Sequence, residues 1–253
     1  MERQKCTRSL TIALLFCSGL GVLFAQQSPG ERVYQAYISD QMNVWDEVIV
    51  ELSNRKESLS DAQLAELINY YYGYTGWAIE KGHKKKAVRY ILEAENIINQ
   101  LLLKYPERPD LSAFKGAFIG YKIGISPMKA PFLGPESMNN INHAVETGPD
   151  SPQGWIEKGN ALYYMPRVFG GSKKKALEAF NKAIQLMERD PELIHHNWMY
   201  LNVLMILGQS YEITGNFQMA QVTYEKVLKI EPNFSYVRDE IFPSFLKSKN
   251  SQE

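Results

Sequence analysis

The adjacent pair His195-His196 is the most metal-like element of this 253-residue chain, which has 4 histidines. Neighbouring side chains on a helix point about 100° apart, so the two cannot readily face one ion. A helical metal pair needs a spacing of three or four, as in H-E-x-x-H, and that pattern does not occur. The pair therefore reads as the start of the helix leading to Trp198. His83 falls in the turn Lys81-Gly82-His83-Lys84, and His143 stands alone before Ala144. The segment Gly170-Gly171-Ser172-Lys173-Lys174-Lys175 has the residue types of a phosphate loop. It lacks the G-x-x-x-x-G-K-[ST] spacing and a preceding strand. It reads as a helix start, with Ser172 as the cap, the lysines in water and backbone N–H groups open to an anion. No G-x-S-x-G and no Asp-rich calcium loop occurs, and Asp46-Glu47 and Asp239-Glu240 read as solvated helix faces. Asn233-Phe234-Ser235 matches a glycosylation sequon. The sequence thus predicts no catalytic residue, no metal site and no cofactor.

Composition excludes further classes. The 28 Lys+Arg balance 28 Asp+Glu, so nothing draws the chain as a whole to nucleic acid or to an anionic membrane, and no nucleic-acid partner is expected. With 45% hydrophobic and 22% charged residues the chain belongs with folded proteins. Its 2 cysteines, Cys6 and Cys17, are too few for a disulfide scaffold or a four-cysteine zinc site. Both fall in a segment with the layout of an export signal: Arg3, Lys5 and Arg8, an apolar run from Leu10 to Ala25, then polar residues from Gln26. A signal peptide over residues 1–25 is expected, cut after Ala25. Two other readings stay open. A membrane anchor would need about 20 apolar residues, and this run is shorter. A lipoprotein anchored at Cys17 would want a small residue where Phe16 stands. Cleavage would remove three basic residues and one acidic one, leaving 25 positive and 27 negative side chains, a net of −2, and no cysteine. No other run of about 18 apolar residues exists, so no transmembrane span is expected in the mature chain, which would be periplasmic or secreted.

Helical periodicity runs through everything that follows, and no segment keeps the period-2 alternation of strands. From Ser60 the pattern is of paired helices with Gly or Pro between them. The clearest unit spans 201–234. Leu204, Leu207 and Tyr211 share one helix face, and Gly208 on that face permits close approach of the next helix. Gly215 suits the turn, Ala220 and Tyr224 follow on the second helix, and Pro232 blocks continuation. The same grammar recurs in Trp155, Gly159, Leu162, Ala176, Phe180, Ala183 and Pro191. Gly116, Gly120, Ser137, Ile141, Ala144 and Pro149 form a weaker copy, and Tyr71, Tyr74, Gly82, Ala87, Ile91 and Ala94 a degenerate one. The two middle units share an enlarged turn, around 126–135 and 165–171.

This spacing resembles the tetratricopeptide repeat, with Val227 in place of the usual Ala. The resemblance implies an all-α fold: a right-handed superhelical solenoid of antiparallel helix pairs. The repeat domain is expected over 60–247, with repeats at 68–106, 113–150, 152–191 and 201–234. Residues 26–58 are expected to supply a linker and one extra N-terminal helix, 235–247 a terminal cap, and 248–253 a polar tail. Solenoids need such a cap to cover their last apolar face.

Proteins of this family bind peptides, proteins or small ligands on the concave face lined by the first helix of each pair. The inward positions implied by the resemblance include Asn69, Tyr72, Phe114, Tyr121, Gln153, Asn160, Tyr163, Asn202 and Gln209. This set is aromatic and amide-rich and lacks the lysines and arginines of carboxylate-clamping members. The expected function is a non-catalytic scaffold whose partner is a protein or peptide of the cell envelope. The alternative is a periplasmic component of a solute transport system that binds a small ligand. A bland reading also stands, in which the aromatics pack against the N-terminal helix. The enlarged turns, with Pro127, Phe132, Pro166 and Phe169, offer an apolar lip.

Overall fold

The computed structural model describes residues 27–250. The expected signal segment, 1–25, lies outside the described residues, as do 26 and 251–253. Eleven α-helices follow one another without a strand among the described residues. They are α1 (Pro29–Ile38), α2 (Met42–Asn54), α3 (Asp61–Glu80), α4 (Lys84–Lys104), α5 (Pro109–Ile125) and α6 (Ala130–Thr147). The series continues with α7 (Pro152–Tyr164), α8 (Lys173–Met187), α9 (Trp198–Ile213), α10 (Phe217–Ile230) and α11 (Phe242–Asn250). Four antiparallel pairs, α3/α4, α5/α6, α7/α8 and α9/α10, stack in order. The all-α solenoid expected from the sequence is what the chain forms.

Local chemistry sets the helix ends. The Ser60 hydroxyl accepts from the Gln63 backbone N–H at 3.3 Å while the Gln63 amide oxygen accepts from the Ser60 N–H at 3.0 Å, a reciprocal cap that starts α3. Asn197 caps α9, Asn216 caps α10 and Ser172 caps α8, each through a side-chain oxygen. Gly82 and Gly215 close the first helices of two pairs with positive φ. Within pairs, glycine meets an aromatic ring. A Cβ on Gly159 would lie 2.5 Å from Phe180 Cε1, and one on Gly208 would lie 2.5 Å from Tyr224 Cε1. Only glycine lets those rings reach the opposing backbone.

Three stretches differ from expectation. Residues 29–54 form two helices, not one. The chain reverses at Ser39-Asp40-Gln41, where Asp40 takes a left-handed φ of 55° and the Gln41 N–H returns to the Ala36 carbonyl at 2.8 Å. The enlarged turn at 126–135 is shorter than expected, because α6 begins at Ala130 and absorbs Pro131 and Pro135. At the C-terminus a π-helical turn, Val237–Ile241, leads into α11, which runs to Asn250 and so includes residues expected in the polar tail. Phe245, 1% exposed, packs on Tyr224 and Phe217 and covers the last pair.

The N-terminal hairpin, α1 with α2, decides what the concave face is. Trp45 is buried; its indole N–H donates to the Tyr70 carbonyl at 3.1 Å and its ring packs on Trp198 at 4.9 Å between centroids. Gly73 gives both rings room, since a Cβ there would sit 2.6 Å from Trp45 and 2.7 Å from Trp198. Tyr37 donates to Asn202 at 3.0 Å and packs on Phe234. Tyr34 donates to Glu231 at 2.9 Å, and Ser235 donates to the Ile38 carbonyl at 3.0 Å. Lys86 and Tyr90 of α4 both meet Asp46 of α2. The hairpin therefore binds the first helix pair and the last one at once.

Candidate functional site

The first helices α3, α5, α7 and α9 carry the positions that the repeat pattern turns inward, and most of these engage one another. Asn69 accepts from the Trp198 indole at 2.7 Å. Tyr72 stacks on Tyr121 at 5.4 Å, meets Phe114 edge-on at 5.5 Å, and accepts at its hydroxyl from Asn160 Nδ2 at 2.9 Å. The Tyr121 hydroxyl donates to the Tyr72 carbonyl at 3.2 Å, fitting against Gly76. Asn202 is taken by Tyr37 of the hairpin. Tyr163 lies apart, under the Lys173 ammonium at 3.4 Å from its ring centre, and Gln209 is half-buried on α9. The structure thus gathers Asn69, Tyr72, Phe114, Tyr121, Gln153 and Asn160 into one region, with Asn202 at the hairpin. Tyr163 and Gln209 do not join that cluster.

Glu157 is the residue that the sequence reading missed. It is 2% exposed, on α7 between Gln153 and Asn160. Gln153 Nε2 donates to its Oε1 at 2.7 Å and Asn160 Nδ2 to its Oε2 at 3.3 Å. Burial pushes its carboxyl pKa up to about 7, while hydrogen bonds from Tyr72, Asn160 and Gln153 pull the other way. Burial likewise holds the Tyr72 and Tyr121 hydroxyls well above the usual phenol range, and the Glu157 charge adds to this. The Asn160 Oδ1 is buried without a partner among the described residues. The one available signal was the spacing 153/157/160, which places the three on one helix face.

Where the hairpin stops, a cleft of about 440 Å³ opens at the N-terminal ends of α5, α7 and α9. Phe114, Ile156 and Trp198 line it with Asn69 and Gln153, and Glu66, Asp110 and Glu192 add carboxylates. His195 and His196 also border it. They precede α9 and are not helical: His196 has a φ of 42°, and the two rings stack 4.2 Å apart. His196 Nδ1 lies 2.8 Å from a Glu31 oxygen, and its ring stacks on Tyr34. Among the described residues no group of three or more His, Cys, Asp or Glu is placed to hold a metal ion. At the opposite ends of these helices, Arg167, Ser172, Lys173 and Lys174 share a hollow with Ile213, Thr214 and Asn216.

Comparison with known proteins bears on this architecture. No curated protein matches the chain. Among solved structures it is similar to the HusA haemophore from Porphyromonas gingivalis, with 19% identity and a TM-score of 0.47 over 67% of this chain and 94% of that one. Residues 201–234 match the family model of the tetratricopeptide repeat. This is the segment of α9 and α10, in which Gly208 receives Tyr224 and Gly215 makes the turn. That helix pair is a tetratricopeptide repeat.

Proposed function

We propose that this protein is an exported, non-catalytic helical scaffold that holds a segment of a partner protein at the open end of its concave face. The cleft at the N-terminal ends of α5, α7 and α9 carries the proposal, because it is the part of the concave face that the hairpin leaves uncovered. Its lining fits a peptide: apolar walls from Phe114, Ile156 and Trp198, the Asn69 NH2 and the Gln153 carbonyl to meet a backbone, and the exposed Glu192 carboxylate at the rim for a basic side chain. The tetratricopeptide repeat supports the same reading, since such repeats generally mediate protein interactions. A binding role, not a catalytic one, agrees with the cleft histidines being engaged with Glu31, Tyr34 and each other. Export rests on the basic start and apolar run of residues 1–25. Consistent with that, no described helix is long and apolar enough to cross a membrane.

A photo-cross-linking amino acid tests the assignment. Placed at Glu192 on the cleft rim, it should capture one partner segment that the same group at Glu178, on the exposed side of α8, does not. Equal capture at both positions would sink the proposal.

The hairpin favours a second reading as well. With most of the concave face filled, the remaining space has the volume of a small-molecule site, about 300–1,000 Å³. The cleft would then hold a small ligand for a transport system. Thermal-shift panels of peptides, sugars and lipids separate the two. Stabilisation by small molecules alone selects the second reading, and binding by proteins alone removes it.

A further inference from the structure

The edge of the solenoid opposite the cleft has its own chemistry. It is formed by the turns that join the first and second helix of each pair. On the second and third turns, and on the first turn of α6, large apolar side chains stand in solvent: Met128 is 88% exposed, Phe132 82%, Val168 86% and Phe169 67%. Single exposed apolar residues are ordinary, but four at the same end of two successive helix pairs are a concentration of exposed apolar surface. The third and fourth turns are adjacent, since Arg167 and Lys174 share a hollow with Ile213 and Asn216.

Cations outnumber carboxylates around the second and third turns of this edge. Between Asp110 and Glu136 the only charged residues are Lys115, Lys122 and Lys129. Between Glu157 and Glu178 they are Lys158, Arg167, Lys173, Lys174 and Lys175. The first turn adds Lys84 and Lys85, while its Lys81 is paired with Glu80. Among the described residues Lys129, Arg167, Lys174 and Lys175 make no ion pair, so their charge is directed outward. The opposite edge, where one pair passes to the next, carries Glu107 and Asp110, Glu146 and Asp150, then Glu188, Asp190 and Glu192. Its cations are mostly spent in pairs: Lys104 with Asp61, Arg108 with Asp110, Arg189 with Asp150. A chain of zero net charge is thus basic around the second and third turns of one edge and acidic along the other edge.

We infer that the basic edge docks on an anionic lipid surface. Met128, Phe132, Val168 and Phe169 would enter the interfacial layer, and Lys129, Arg167, Lys174 and Lys175 would meet lipid phosphates. Neither component suffices alone: shallow apolar insertion and electrostatic attraction add in membrane docking. Each Lys or Arg held near an anionic bilayer strengthens binding about five-fold. An acidic protein would match the charge, but four side chains protruding from two turns and the start of α6 do not form a walled pocket. A bilayer needs none.

Flotation of the full chain with vesicles provides the test. Phosphatidylcholine vesicles are compared with vesicles in which about a quarter of the lipid is phosphatidylglycerol, a fraction at which a polybasic patch responds. Two variants are run beside the wild type: Phe132→Ser/Phe169→Ser, and Lys129→Gln/Arg167→Gln/Lys174→Gln/Lys175→Gln. All six side chains are exposed, so both variants keep the fold. A third variant, Phe169→Trp, reports locally, because brominated phosphatidylglycerol quenches an indole only when it enters the bilayer. The expected result is binding to the anionic vesicles at least tenfold tighter than to neutral ones, at least a tenfold loss in both variants, and quenching of the new indole. Equal binding by wild type and both variants, or an unquenched Phe169→Trp, would overturn the proposal. So would an edge that proves to bind only a second copy of the chain, seen as a dimer that the charge variant abolishes while vesicle binding is unchanged.

Discussion

Replacing Glu157 with Gln should stabilise this protein, by an amount set by pH. The folded protein holds the Glu157 proton up to about pH 7, and the unfolded chain holds it only to about 4.5. Between those values the native state carries the extra proton, so its stability falls as pH rises. Below the window both states are protonated, and above it the loss is complete. Each pKa unit corresponds to about 1.4 kcal/mol, so the wild type forfeits on the order of 3 kcal/mol by pH 8. The amide introduced by Glu157→Gln would be neutral throughout, and turning over the Asn160 amide brings its unpartnered Oδ1 to the new NH2 group as an acceptor. Urea unfolding of wild type and Glu157→Gln at a series of pH values from about 4 to 8.5 measures the difference. All other titrating groups cancel in it. The advantage of the variant should grow between pH 4.5 and 7 and then level off at roughly 3 kcal/mol. A difference independent of pH would refute the argument, because it would mean that the carboxylate is ionised in the fold at no cost.

Two further outcomes follow from packing. Gly159→Ala should destabilise by about 1–3 kcal/mol, because the added methyl meets the Phe180 ring, whereas Gly124→Ala, with nothing within 4 Å, should be neutral or slightly stabilising; melting temperatures decide, and equal shifts would contradict the close approach. Trp45→Ala should cost about 3–5 kcal/mol and free the hairpin, which limited proteolysis reads as early cleavage within residues 29–54; unchanged cleavage would show that the hairpin does not depend on that ring.

What could be read from sequence followed a physical rule. Gly208 with Tyr224 and Gly159 with Phe180 were legible because a small residue facing a large one leaves a fixed spacing along two consecutive helices. Those contacts are local. The reversal at Asp40 was hidden, because the apolar stripe of α1 resumes in α2 after only three residues and looks continuous. Glu157 was hidden for the opposite reason: nothing near it in sequence buries it, and its cover comes from Tyr72 and Tyr121 on two other helices. The filling of the concave face depends on Trp45 meeting Trp198 across most of the chain, a contact with no periodic trace. Gly73, set in the run Tyr70-Tyr71-Tyr72-Gly73-Tyr74, was the one mark of it, a gap kept open for two rings from elsewhere.

The hairpin that joins the first and last helix pairs also changes how the array can come apart. A linear stack of repeats behaves as a one-dimensional lattice, whose end units meet one neighbour and fray first. Here Tyr34, Tyr37 and Ser235 link positions 165 to 197 residues apart, so neither terminal pair is an end in that sense. Opening either pair must also unseat the hairpin and thereby loosen the other, which makes unfolding more cooperative than repeat number alone implies. The same links delay completion of the fold: α1 and α2 are made before every other described helix, yet the part of their acceptor surface that lies on the last pair exists only once α9 and α10 have been made.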